Sequence, residues 1–336
     1  MTLRRSLFAL LATSLLSSSA WADDEADPKE RWYTAIGGQY QTLQDESAAL
    51  ADTLQGGCQN TNAVRDAWLE AYKTWQQVRY VDFGPIEQQS RAWQLQFWPD
   101  RKNLVAKKVD AWLKAPNPPT PEQVSADSVA LKGFPALEYL LFESENGDTL
   151  PLESQQGCAL ASAIGQHLAT TTQALNQDWQ AFEEHYLNTE GYADITVESA
   201  LHGLQILDDK RLAEPMGLRG KSRNGYLADA WRSGESVTLI AASLAGLEQS
   251  FVPGAQALLQ QEGEAELGQE LEETLSETRA LAESLPSGLA PALEDEQAYK
   301  GLQRLYVQVE QLRQLMEYKI APALDIKQGF NSSDGD

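Results

Sequence analysis

The sequence contains few of the residues on which most thiol and metal chemistry depends. Its 336 residues include two cysteines and three histidines, too few for a cysteine-rich metal domain or for a familiar histidine zinc site. The histidines, His167, His185 and His202, are scattered, and neither an HExxH helix nor a GxSxG turn occurs. The known zinc-protease and serine-hydrolase signatures are therefore excluded.

Basic residues are also scarce. Lysine and arginine number 26 against 49 acidic residues, so the formal net charge is −23. A general nucleic-acid binder needs basic side chains to displace the counterions of phosphates, so this class of protein is excluded. The acidic run over residues 262–277 is interpreted as a solvated helix face. With 42% hydrophobic residues, the chain can bury the core of one large or two moderate domains.

Long apolar runs are missing after the N-terminus. Residues 7–16 form an apolar run that is too short to span a bilayer, which takes roughly 20 residues. Arg4 and Arg5 precede this run, and the small-residue pattern Ala20-Trp21-Ala22 follows it. This order is typical of a signal peptide over residues 1–22. We therefore expect an exported protein of the periplasm or cell envelope that does not span the membrane.

Cys58 and Cys158 are the only cysteines. An exported protein meets an oxidising compartment, where a pair of cysteines usually forms a structural disulfide. The alternative is two buried free thiols.

The hydrophobic pattern is helical almost throughout, and alternation typical of strands is nearly absent. We therefore predict an all-α fold of two antiparallel helical bundles with a cleft between them, divided near Gly191 into residues 23–190 and 191–336. Residues 214–226, rich in glycine and basic side chains, are predicted to be a loop. The main predicted helical segments are residues 64–78, 100–113, 135–141, 155–187, 197–212, 237–251, 267–285 and 297–316.

One helical stretch carries possible metal ligands. His202 follows Glu198 by four residues and precedes Asp209 by seven, so all three could line one face of a helix and bind a metal. The alternative is that His202 is a structural side chain held by hydrogen bonds.

The stretch Gly133-Phe134-Pro135-Ala136-Leu137-Glu138 is the most informative for function. Its glycine and proline predict a helix start, with Pro135 as a first helical residue and Glu138 in the first turn. Glu138 could simply stabilise the helix end through the helix dipole. The functional interpretation is a buried carboxylate paired with a cation, because burial without such a partner is costly.

This stretch resembles the GxHxxE signature of the imelysin family, exported bacterial proteins grouped as insulin-cleaving metallopeptidases and as iron-regulated periplasmic proteins. Gly133 and Glu138 match the signature, and Pro135 stands at the histidine position. Further similar stretches follow in order along the chain: Trp75 to Arg79, Phe83 to Ile86, Trp98-Pro99, Asp209-Lys210 with Pro215, Trp231-Arg232-Ser233 with Ser236, and Gly329 to Asp336.

The resemblance implies two helical bundles with the signature segment near the cleft between them. It places Glu138 in a ligand-binding site, joined from the second half by Arg232, Ser233 and Ser236. Arg232 could hold a carboxylate, either that of Glu138 or that of a ligand, through a planar two-bond contact. Ser233 and Ser236 lie three apart, so one could cap a helix while the other faces the cleft.

Pro135 decides between the functions that the resemblance implies. Proline cannot ligate a metal, so the histidine–glutamate pair is missing and a non-catalytic binding or accessory protein linked to iron uptake is favoured over an enzyme. The bound species could be a small ligand or a metal such as iron or zinc. A metal could be held by Glu138 and His202, and iron by the hard oxygen donors Glu138, Asp208, Asp209 and the tail aspartates. One alternative is a metallopeptidase that recruits His202 and Glu198 as replacement ligands. Another is a scaffold that binds envelope proteins of an uptake complex.

Overall fold

The computed structural model describes residues 27–144 and 149–326, which fold into helices and connecting turns without a β-strand element. The all-α prediction is confirmed. The predicted signal peptide and the C-terminal tail lie outside the described residues. The α-helices, α1 to α16, are Pro28–Gln55, Thr61–Val78, Arg91–Leu95, Leu104–Leu113, Pro121–Ala126, Gly133–Phe142, Gln155–Ala181, Glu183–Asn188, Tyr192–Ile206, Glu214–Met216, Ser236–Gly246, Val252–Gln261, Ala265–Glu283, Leu289–Ala292, Glu296–Leu315 and Ala321–Ala323.

Short helices of other kinds connect these elements. Three π-helical segments, Leu207–Ala213, Leu247–Phe251 and Met316–Ile320, continue α9, α11 and α15. The 3₁₀ turns are Gly84–Ile86, Gln88–Ser90, Val129–Leu131, Pro151–Glu153 and Gly225–Leu227. Within the two described ranges, no helix has the length and apolar character needed to cross a membrane.

The core is built around α1 and α2, whose inner faces are rich in aromatic residues. Trp32, Trp68 and Trp75 are all at most 1% exposed. Helix α1 packs against α2, α7 and α12, while α2 also packs against α11. Helices from both sides of Gly191 thus contact the same two helices, and their buried apolar side chains form one cluster. The division into two bundles at residue 190 stays a prediction.

Cys58 and Cys158 form a disulfide, as predicted. Cys58 follows α1, and Cys158 lies in the first turn of α7. Since α1 and α7 also pack side by side, the bond joins two helices that are already neighbours in the core.

Each π-helical segment precedes a proline by two positions: Pro215, Pro253 and Pro322. A proline inside an α-helix lacks the N–H of the helical ladder, and its ring collides with a carbonyl of the preceding turn. The wider π turn moves those carbonyls away from the proline ring, so the helix continues beyond the proline. The predicted helices, which end near residues 212, 251 and 316, were therefore too short. Residues 214–226, predicted to be a loop, begin with the helical turn of α10.

Helix α6 begins at Gly133, two residues before the predicted start at Pro135. Gly133 has a positive φ of 68°, and a Cβ there would lie 2.0 Å from the backbone oxygen of Leu95. Only glycine allows this contact between α6 and α3. The glycine thereby fixes the direction of the helix that carries Glu138.

Candidate functional site

A cavity of about 520 Å³ lies beside Glu138. It is walled by α4, α6, the chain before α4 and the chain before α11. Its lining carries more carboxylates than guanidinium groups, so its chemistry favours a guest that is cationic or donates hydrogen bonds. The charged lining residues are Asp100, Arg101, Asp110, Glu138, Glu143, Asp229 and Arg232, and the aromatic ones are Phe97, Trp98, Tyr139, Tyr226 and Trp231.

Glu138, which lines this cavity, is in contact with Ser233. Glu138 is 4% exposed, and its Oε1 accepts a hydrogen bond from the Ser233 N–H at 2.9 Å and from the Ser233 hydroxyl at 3.0 Å. The same hydroxyl lies 3.0 Å from the Ala230 carbonyl oxygen. Both hydrogen bonds that Glu138 makes with described residues therefore go to one carboxylate oxygen.

The pKa of Glu138 is raised to about 7, chiefly by burial. The negative charge of Asp229 contributes to this rise, whereas the hydrogen bonds from Ser233 and the positive charge of Arg232 oppose it. A carboxyl with this pKa carries its proton about half of the time at neutral pH. Glu138 can therefore act as either a donor or an acceptor towards a guest.

Asp229 is a second buried carboxylate in the same wall, 4% exposed. Its Oδ1 accepts a hydrogen bond from the Tyr72 hydroxyl at 2.7 Å. Its Oδ2 accepts from Gln96 Nε2 at 2.8 Å and pairs with Arg211 Nη2 at 3.0 Å. The charge of Asp229 is thus held by one guanidinium and two polar side chains, which offsets part of the cost of burial.

Gln96 connects Asp229 to α2. Its side-chain oxygen accepts hydrogen bonds from Trp75 Nε1 at 2.9 Å, Gln76 Nε2 at 3.2 Å and Arg79 Nε at 2.7 Å. Gln76 Oε1 in turn accepts from Arg211 at 2.5 Å. One polar network therefore ties α2 and the chain before α4 to the π segment after α9.

Arg232 does not bond to Glu138. It lines the cavity and its Nε donates to Glu143 Oε2 at 2.5 Å, while its guanidinium lies over the rings of Tyr139 and Trp231. Glu143 follows the last turn of α6 and is more exposed than Glu138. The ion pair of Arg232 therefore lies nearer the surface than the Glu138 carboxylate. The sequence suggested that Arg232 holds the carboxylate of either Glu138 or a ligand. The pair with Glu138 is not formed, because Arg232 pairs with Glu143.

Ser236 is the first residue of α11 and is buried. Its hydroxyl has no hydrogen-bond partner among the described residues, and it is not part of the lining of the cavity. The structure therefore places Ser233 in contact with Glu138, whereas Ser236 makes no hydrogen bond to it.

His202 lies in a different cleft from Glu138. Its Nδ1 is 2.6 Å from Asp82 Oδ2, and it lines a cleft of about 560 Å³ that shares Trp98 and Pro99 with the first cavity. Glu198 is exposed, and no hydrogen bond or ion pair links it to His202. The metal pair of His202 with Glu138 is thus not assembled, because the two residues line different spaces. Glu198 and His202 lie one turn apart on α9, and their joint binding of a metal stays a prediction.

The aspartates at the start of the π segment already have arginine partners. Asp208 pairs with Arg313 Nε at 3.0 Å, and Asp209 pairs with Arg219. Burial, together with the neighbouring charge of Asp209, raises the pKa of Asp208. Within residues 27–144 and 149–326, no group of three or more histidine, cysteine, aspartate or glutamate side chains could hold a metal ion. The residues described do not fit a three-ligand metal centre.

Sequence reasoning missed the network behind Glu138, formed by Tyr72, Gln76, Gln96, Arg211 and Asp229. One signal was present, since Gln76 follows Tyr72 by four residues on the apolar face of a predicted helix. A polar side chain there needs a buried partner. Nothing in the spacing indicated that the partner is Arg211, which is 135 residues away in sequence.

Comparisons with known proteins agree with this fold. The peptidase family model named Imelysin matches residues 37–316. An imelysin-like protein from Psychrobacter arcticum 273-4 has a similar structure, with a TM-score of 0.78 and 24% identity over 90% of this chain and 98% of that chain. A structure described as an iron-regulated protein A precursor from Parabacteroides distasonis ATCC 8503 has a TM-score of 0.64 and 13% identity over 88% of this chain and 97% of that chain. No curated protein sequence matches the chain.

Proposed function

Because the chain belongs to the imelysin family, we propose that it is an exported accessory protein of iron uptake that binds a small ligand beside Glu138 without catalysing a reaction. The observation that carries this proposal is the buried carboxylate of Glu138 in the wall of a large acidic cavity. Ser233 satisfies Oε1, while Oε2 receives no hydrogen bond from the described residues. A guest with a cationic or hydrogen-bond-donating group would complete the site.

Pro135 supports a binding role over a catalytic one. It lines the same cavity as Glu138, and it stands where the GxHxxE signature has its histidine. Proline offers no side-chain ligand to a metal, and the described residues do not supply three alternative ligands. The metallopeptidase alternative would rely on His202, which lines a different cleft from Glu138.

The link to iron rests on the fold. One structural neighbour is described as an iron-regulated protein A precursor, and that description belongs to the neighbour. The described residues contain no group of three or more side chains that could hold a metal ion. We therefore propose that the ligand is a small molecule rather than a metal ion alone.

The test uses the chain of residues 1–336, expressed in bacteria and recovered from the periplasm without chelator or affinity tag. Native mass spectrometry and elemental analysis would be compared for the wild type, Glu138→Gln and the control Glu248→Gln. Glu248 is a carboxylate paired with Arg279 outside the cavity. We expect a small molecule to copurify with the wild type and the control, and to be lost from Glu138→Gln.

Three outcomes would contradict the proposal. Stoichiometric zinc together with chelator-sensitive cleavage of an unfolded peptide would support the metallopeptidase alternative. Saturable binding of ferric or ferrous ions that Glu138→Gln abolishes would make the metal itself the guest. A specific envelope partner with no small ligand would support the scaffold alternative.

A further inference from the structure

A second cleft lies on the other side of Trp98 and Pro99 from the cavity beside Glu138. It has a volume of about 560 Å³. Its wall includes three tryptophans, Trp75, Trp93 and Trp98, and the guanidinium of Arg79. It shares Trp98 and Pro99 with the first cavity, but Glu138 and Ser233 do not line it.

A much smaller cavity adjoins this cleft. It has a volume of about 20 Å³, enough for one small guest. Arg79, Tyr80, Gly203 and Ile206 line both spaces, and Arg211 lines only the inner one. The small cavity therefore lies directly behind the wall of the cleft, between two arginines.

Arg211 has N–H groups that find no hydrogen-bond acceptor among the described residues. It is 2% exposed. Its Nη2 is occupied by Gln76 and Asp229, whereas its Nε and Nη1 are buried without a hydrogen-bond partner. An unpaired buried donor on a charged group is costly, so a guest that accepts hydrogen bonds would stabilise the folded protein.

The other polar groups of the inner cavity are already engaged. The Tyr80 hydroxyl bonds to Ser250, the Ser243 hydroxyl donates to a carbonyl of its own helix, and both ends of the Gln76 amide are used. The unsatisfied groups are therefore donors. A water molecule would bring two donors of its own, whereas a halide ion only accepts.

We propose that a small monovalent anion of halide size binds between Arg79 and Arg211. The neighbouring positive charge of Arg211 and, to a larger extent, burial lower the pKa of Arg79 to about 10, so Arg79 is still charged at neutral pH. The carboxylates nearest the outer cleft, Asp82 and Asp209, already pair with His202 and Arg219. Asp229 and Gln76 occupy only Nη2 of Arg211, so its Nε and Nη1 remain available to the anion.

Crystals of the wild-type protein soaked in sodium bromide test the site directly. We expect an anomalous bromine peak in contact with Nε and Nη1 of Arg211 and with Arg79. Bromide found only at surface positions, or a water molecule in the inner cavity at high bromide, would overturn the proposal.

Thermal unfolding supplies the solution test, with gluconate replaced by bromide at constant ionic strength. We expect a saturable rise of roughly 2–4 °C in the unfolding temperature of the wild type. Arg79→Gln should lose this rise. The control Arg279→Gln, which removes an arginine paired with Glu248 away from both spaces, should keep it. Equal rises in all three proteins would contradict an anion site between the two arginines.

Discussion

Glu138 and Ser233 are 95 residues apart in sequence, yet Ser233 directs both its N–H and its hydroxyl at one oxygen of the Glu138 carboxylate. The contact joins α6 to the turn that leads into α11. Because Glu138 is buried, this pair both orients the carboxylate in the cavity and holds two distant segments together.

Replacing Ser233 with alanine should remove the hydroxyl and keep the N–H. We expect a loss of about 1–2 kcal/mol in the free energy of unfolding, measured by urea titration. The hydroxyl also lowers the pKa of Glu138, so the variant should titrate at a higher pH in a carbon-13 NMR experiment on the carboxyl. Ser284→Ala, which removes an exposed hydroxyl bonded to a carbonyl of its own helix, is the matched control. Unchanged titration of Glu138 would show that the hydroxyl bond does not form in solution.

The raised pKa of Glu138 predicts how stability depends on pH. Between pH 4.5, the ordinary value, and about 7, the folded chain retains this proton while the unfolded chain has released it. The contribution of Glu138 is therefore complete below pH 4.5, falls as the pH rises towards 7, and is absent above pH 7. The total change is roughly 3 kcal/mol.

Glu138→Gln isolates this effect, because glutamine does not titrate. The difference in unfolding free energy between the wild type and the variant should fall as the pH rises from 4.5 to 7. Carboxyls with a lowered pKa, such as Asp82 and Asp127, act in the opposite direction in both proteins and cancel. A difference that is constant over this range would contradict a buried Glu138.

Helical periodicity was sufficient to predict the class of the fold and most of its long helices. It was insufficient at the prolines, because a local rule treats Pro253 as a helix end. The structure keeps the helical path through a π turn, and the helices on either side of it, α11 and α12, pack against α1, α2 and α13. Such tertiary contacts leave no signal in the local pattern.

The candidate site was predictable only in part, for the same reason. The Gly133–Glu138 segment has a local signal, and the resemblance added Ser233. Arg232 was placed near the site, but its partner Glu143 depends on how far α6 extends past Glu138. Asp229 and Arg211 lie within or beside stretches that carry the resemblance, but no local pattern pairs them, and only the fold brings them together.

The disulfide closes a long stretch of chain, since Cys58 and Cys158 are 100 residues apart. Closing a loop of this length restricts the unfolded chain, so Cys58→Ser with Cys158→Ser should lower the free energy of unfolding by about 4–5 kcal/mol. Denaturant titrations of the double variant and of the wild type with and without reductant measure this loss. The reduced wild type should match the variant, and equal stability of all the forms would contradict a structural bond.

The pairing of Asp229 with Arg211 makes the strongest prediction about the network. Both side chains are buried, so Asp229→Asn leaves the Arg211 charge without its carboxylate and should cost about 3–5 kcal/mol in the free energy of unfolding. The same change removes a negative charge that raises the pKa of Glu138, so that pKa should fall. Glu296→Gln, which breaks an exposed pair with Lys300, should cost below about 0.5 kcal/mol and leave Glu138 unchanged. An equally small loss of stability in both variants would show that the network does not stabilise the site. A large loss for Asp229→Asn alone would show that this carboxylate fixes α2 and the π segment beside Glu138.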